Sequence, residues 1–197
     1  MPKIVVVAFD PGVMTGWCRL CVDKAALPLG TRTFLKTTYA EDPVELTEGV
    51  FAAPGSLSAG QFGARGGFTE NGQVDEMIRL TRLAWVEEIE DAEKDTFFVV
   101  LEDFILRRSE KDRSLLAPVR LNAKFDYAMK DSHVRIMYQS PSDAKNAVTD
   151  ARLKSWNVYD STTGEHGRDA QRHAVLALRK YASAAAIRIW AGVGLSR

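Results

Sequence analysis

Near the start of the chain, the apolar run Ile4-Val5-Val6-Val7-Ala8-Phe9 ends in Asp10, followed at once by Pro11-Gly12 and then Thr15-Gly16-Trp17. An unbroken β-branched run of this length reads as a strand buried on both faces. Pro-Gly turns the chain sharply and leaves the Asp10 side chain at the strand's end. A carboxylate in that place either orders the turn or acts as a metal ligand or general base. Its company in the rest of the chain decides which.

Two further carboxylate sites stand in similar positions. Phe97-Phe98-Val99-Val100-Leu101 is a second buried-strand run, and it ends in Glu102-Asp103. Adjacent strand residues face opposite sides, so Asp103 points away from any site that Glu102 joins. Towards the C-terminus, His166-Gly167-Arg168-Asp169-Ala170-Gln171-Arg172-His173 leads into Ala174-Val175-Leu176-Ala177-Leu178, a helical pattern. Asp169 and His173, four apart, share one helical face. His166 and Asp169, three apart, are the alternative pair. The pattern favours Asp169 with His173, because His166 precedes Gly167 and stands at the edge of the helix. Asp10, Glu102, Asp169 and His173 form an oxygen-rich set with one imidazole, which suits Mg²⁺ or Mn²⁺ rather than a structural zinc. Ions held in this way typically drive phosphoryl chemistry.

These residues carry a family resemblance. The block from Val7 to Trp17 is similar to the first strand and turn of RuvC-type Holliday-junction resolvases, nucleases of the RNase H-like superfamily. Val99-Val100-Leu101-Glu102 resembles the strand with their second acidic ligand. Ser140-Pro141-Ser142-Asp143-Ala144-Lys145, with Lys154 beyond it, resembles their Pro-containing loop and helix with two functional lysines. The stretch from Asp169 to Leu178 resembles their final acidic helix. The blocks fall in family order, and their divergence points to a phage-encoded member. The resemblance implies a mixed five-stranded sheet flanked by helices, with the first strand, the fourth strand and the last helix meeting at one edge. It also implies two metal ions roughly 4 Å apart, one activating water and one stabilising the leaving oxygen. Asp10 would bridge both, with Glu102, Asp169 and His173 completing the ligands, and the products would carry a 5′-phosphate and a 3′-hydroxyl. Lys145 and Lys154 would contact DNA backbone, and Lys145 would also stabilise charge on the phosphate. A homodimer is expected, because two opposed strands of a junction must be cut.

Composition fits one intracellular α/β domain. The chain has 197 residues, 46% of them apolar, enough for a substantial core. There is no signal-peptide pattern and no apolar stretch that approaches a membrane span, since Arg188 interrupts residues 182–190. A cytoplasmic location follows as the expectation. Cys18 and Cys21 imply no disulfide framework. Three apart on a strand they face opposite sides, so their spacing is a poor zinc signal. The formal net charge is zero, but the charges are segregated. Arg107, Arg108, Lys111 and Arg113 follow the Glu102 strand. Lys145, Arg152 and Lys154 form a second basic group, and Arg168, Arg172, Arg179 and Lys180 a third. Cations beside a carboxylate cluster are what a phosphodiester requires.

The predicted order is βββαβαβα. Strands are read at 3–9, 15–22 and 31–39, a long Gly-rich loop at 41–71 and a helix over 73–92. The strand ending at Glu102 follows, then a helix over 113–129 that Pro118 starts or kinks, a strand at 134–138, a short helix opened by Pro141, and the last helix. In the loop, Phe62, Phe68, Arg65 and several glycines form a wedge for a branched junction, a segment for dimer contact or a disordered stretch. The competing functions are a nuclease for flaps, forks or RNA-containing hybrids, a sugar-kinase-type phosphate-binding fold, and a non-catalytic DNA-binding scaffold. A kinase-type fold normally needs a longer, duplicated chain and a second phosphate loop.

Overall fold

The computed structural model describes residues 2–23, 55–104, 116–132, 134–155, 159 and 163–194. Strand β1 (Lys3–Asp10) is central. It pairs antiparallel with β2 (Met14–Asp23), which pairs antiparallel with β3 (Gly55–Gly63). On its other side β1 runs parallel to β4 (Thr96–Glu102), which runs parallel to β5 (Arg135–Gln139). The sheet order is β3-β2-β1-β4-β5. Helix α1 (Glu70–Glu88) follows β3 and α2 (Ala117–Met129) follows β4. The short helices α3 (Pro141–Ala147) and α4 (Asp150–Ser155) and the long α5 (Gly164–Gly194) come after β5. No described helix is long and apolar enough to cross a membrane.

The strand period of two sorts the core into two layers. Val5, Val7 and Phe9 of β1, with Phe97, Val99 and Leu101 of β4, face Val74, Met77, Leu121 and Phe125 of α1 and α2. Ile4, Val6 and Ala8, with Phe98 and Val100, face Ala144, Leu153, Ala170 and Ala174 from α3, α4 and α5. The same parity carries Asp10 and Glu102 to the α5 side, where the strand ends meet that helix. Cys18 and Cys21 fall in opposite layers, both unpaired.

Element boundaries follow local chemistry. The Thr69 side chain accepts from the Gly72 N–H at 3.1 Å and caps α1, so that helix starts three residues before the expected 73. Pro118 lies in the first turn of α2, where its missing N–H costs nothing. The largest difference is the third strand. Gly55–Gly63 forms β3 inside the stretch read as loop, whereas the expected strand at 31–39 lies outside the described residues. The strand is obscured in sequence by its small residues, which have a packing cause. Gly60 stands opposite Trp17, and a Cβ there would meet the indole Nε1 at 2.8 Å. The wedge reading also changes. Phe62 is buried in the α1 layer and packs on Phe68 at 5.5 Å between ring centroids.

Candidate active site

Asp10 ends β1 with only 7% of its surface exposed. Across the ladder it stands opposite Gly16 of β2. A Cβ on Gly16 would lie 1.9 Å from the His166 carbonyl oxygen, so the first turn of α5 rests directly on β2 at this residue. That contact brings His166 to the strand end, where its Nδ1 lies 2.8 Å from Asp10 Oδ2. Burial raises the Asp10 carboxyl above its ordinary value. The hydrogen bond from His166 opposes the shift, and the charges of Glu102 and Asp169 add to it. The same hydrogen bond raises His166 above the ordinary imidazole value, against a smaller effect of burial.

Glu102, at the end of β4, is fixed through both backbone and side chain. The Asn122 amide of α2 donates to its carbonyl at 3.0 Å. Its carboxylate Oε2 lies 2.8 Å from His173 Nε2. The other ring nitrogen of His173, Nδ1, lies 3.1 Å from the side-chain oxygen Oε1 of Gln139. Gln139 is the cross-strand neighbour of Glu102 on β5 and is itself buried. The sequence predicts His173 among the metal ligands. In the structure its side chain is 1% exposed and both ring nitrogens are engaged within the protein, so it offers no free nitrogen.

Asp169 lies on α5 one turn beyond His166. Lys145, in the last turn of α3, places its ammonium 3.0 Å from Asp169 Oδ2, and Arg172 pairs with the other oxygen. Arg172 also donates to the Val148 carbonyl at 3.1 Å and to Asp150, which ties α5 to the junction of α3 and α4. Burial lowers Lys145, but its pairing with Asp169 and the nearby charges of Glu102 and Asp10 outweigh that effect and raise its pKa. Lys145, Thr149, Asp150, Arg168, Asp169 and Arg172 line a groove on this flank. Beyond it, Lys154 and Arg168 both lie over the Tyr159 ring, at 4.8 and 5.5 Å from its centroid.

The structure therefore gathers Asp10, Glu102, Asp169, His166, His173 and Lys145 at one end of the sheet. Lys154 lies on α4 against Tyr159, and Arg107, Arg108, Lys111 and Arg113 lie outside the described residues. The helix starts at Gly164, before His166, because Gly167 is a packing glycine and not a terminator. A Cβ there would approach the Gly60 carbonyl oxygen to 2.9 Å. Gln139 and Asp150 carried no signal in the sequence, since their roles depend on strand pairing and on the approach of α5.

Among the described residues, no three His, Cys, Asp or Glu groups stand close enough as they are to hold a metal ion. The donor chemistry nevertheless fits a hard divalent cation. Three carboxylates and one half-exposed imidazole converge, and the buried charge of Asp10 is raised in energy by its two acidic neighbours. Lys145 and Arg172 supply the compensating charge at Asp169.

No protein-family model matches the chain, and no curated protein does. Solved structures do match. RuvC of T. thermophilus in complex with a Holliday junction substrate aligns with a TM-score of 0.51 at 13% identity, over 87% of this chain and 90% of that one. A second Thermus thermophilus RuvC structure aligns with a TM-score of 0.51 at 12% identity, over 86% and 90%. At such identity the likeness is one of fold, and the fold is RNase H-like: a mixed five-stranded sheet flanked by helices.

Proposed function

We propose that this chain is a divalent-metal-dependent endonuclease that cuts four-way DNA junctions and related branched DNA. The observation that carries the proposal is the meeting of Asp10, Glu102 and Asp169 from β1, β4 and α5, with His166 on Asp10 and Lys145 on Asp169. The similarity to a RuvC solved with a Holliday junction substrate supports the choice of substrate. Asp10, Glu102, Asp169 and His166 would hold Mg²⁺ or Mn²⁺, two per site. When bound, such ions activate the attacking water and stabilise the leaving oxygen.

The chain's own residues supply the rest. His166 sits on Asp10 with nearly half of its side chain exposed, so its ring is open to the solvent side of the site. Lys145 is half exposed and held in the field of all three carboxylates, which places a cation where a phosphate oxygen must arrive. Lys154 and Arg168, ordered over Tyr159, extend the positive surface along one flank for the backbone of the strand. A symmetric homodimer would present two such sites to opposed strands.

The test is incubation with Mg²⁺ or Mn²⁺ and a panel of junction, flap, fork, hybrid and linear duplex substrates. Metal-dependent cutting of the four-way junction ahead of linear duplex is the expected result. Preferential cutting of flaps or hybrids would replace the substrate class, and no cutting of any substrate would refute the nuclease assignment.

A further inference from the structure

His173 is a buried polar residue that the proposed chemistry leaves unused. It occupies a stripe of α5 whose neighbours, Ala170, Ala174 and Ala177, are small and apolar. A residue needed only for packing there would be aliphatic, since burying an imidazole costs free energy unless its nitrogens are satisfied. Both are satisfied, by side chains from two different strands. Gln139 of β5 holds one nitrogen, and Glu102 of β4 holds the other.

We infer that His173 is a positioning residue: braced by Gln139, it fixes one carboxylate oxygen of Glu102 so that the other is presented to a divalent cation at the active site. The inference rests on the ligand set proposed above. The Nε2 N–H of the ring donates to Glu102 Oε2 at 2.8 Å, which leaves Oε1 without a share in that bond. The Asn122 amide pins the Glu102 carbonyl at 3.0 Å, so the backbone beneath the carboxylate is held as well. The Asp103 N–H donates to the Gln139 carbonyl at 2.8 Å and fixes the residue that braces the ring. Three elements, β4, β5 and α5, thus converge on the orientation of one carboxylate. Outer partners of this kind set the direction and basicity of a ligand and typically influence metal affinity by about 10–100-fold.

The experiment uses the full chain and Mn²⁺ alone, with binding read from the electron paramagnetic resonance signal of free Mn²⁺ and folding from thermal unfolding. His173→Phe keeps the ring volume and removes the donor, and should weaken Mn²⁺ binding by about 10–100-fold. His173→Gln restores a donor of similar reach and should recover most of the affinity. Gln139→Met should lose part of it. A folded His173→Phe with parental affinity would overturn the inference, as would His173→Gln binding no better than His173→Phe. Should His173→Phe fail to fold, parental affinity in Gln139→Met overturns it and a partial loss supports it. A parent that binds no Mn²⁺ also overturns it. A parent that binds Mn²⁺ in a His173-dependent way and cuts no nucleic acid would refute the nuclease reading and leave this inference standing.

Discussion

Burial of Asp10 disfavours its charged form. Its carboxyl is raised above the ordinary value of 3.8 chiefly by burial, with His166 opposing and the two acidic neighbours adding. The folded state therefore binds the proton more tightly than the unfolded chain. Its contribution to stability is favourable below the ordinary value and is lost as pH rises through the elevated one. Asp10→Asn should accordingly unfold at a higher temperature than the parent at neutral pH. The gap should narrow as pH is lowered towards 3.8. Thermal scans of both proteins across pH in metal-free buffer check this, and a less stable Asn variant at neutral pH would contradict it. His166 has the same sign, at a higher pH. It is raised above 6.5 by its bond to Asp10, so its contribution is present below that value and fades as pH rises through the elevated one.

At the scale of elements, the site depends on how closely α5 approaches β2 and β3. Gly16 admits the His166 backbone, and Gly167 sits on the Gly60 carbonyl. Gly16→Ala would place a methyl 1.9 Å from a backbone oxygen, while Gly167→Ala places one at 2.9 Å. Overpacking of this kind costs about 1–3 kcal/mol. Gly16→Ala should be the more destabilising in denaturant titration and should slow cleavage more, because it displaces His166 from Asp10. Equal stability of the two variants would count against this account of docking. The strand-end positions of Asp10 and Glu102 were legible, because an apolar run stopped by a carboxylate is a local signal. Gly167 looked like a helix boundary and hid His166 within the first turn, because a packing glycine and a terminating one are identical in sequence. Strand β3 was obscured for the same reason, since Gly60 within it answers to Trp17 and α5 rather than to a turn.

At the scale of the whole molecule, a formal net charge of zero leaves the proposed binding to nucleic acid dependent on local cations. Lys145 stands beside the carboxylates, and Lys154 and Arg168 flank them over Tyr159. Lys145→Ala should weaken DNA binding and lower the slope of log affinity against log salt by about one unit. An unchanged slope would make Lys145 a partner of Asp169 alone. The short helix carrying Lys145 was legible from Pro141, whereas the pairing of Lys145 with Asp169 required the packing of α3 on α5. In the proposed nuclease, Asp10 serves chemistry and not DNA binding. The direct measurement is Mn²⁺-supported cleavage of a four-way junction by the parent and Asp10→Asn, with junction affinity measured alongside in Ca²⁺. The account predicts cleavage by the parent, none by the variant, and similar affinities for both; undiminished cleavage by Asp10→Asn would contradict it.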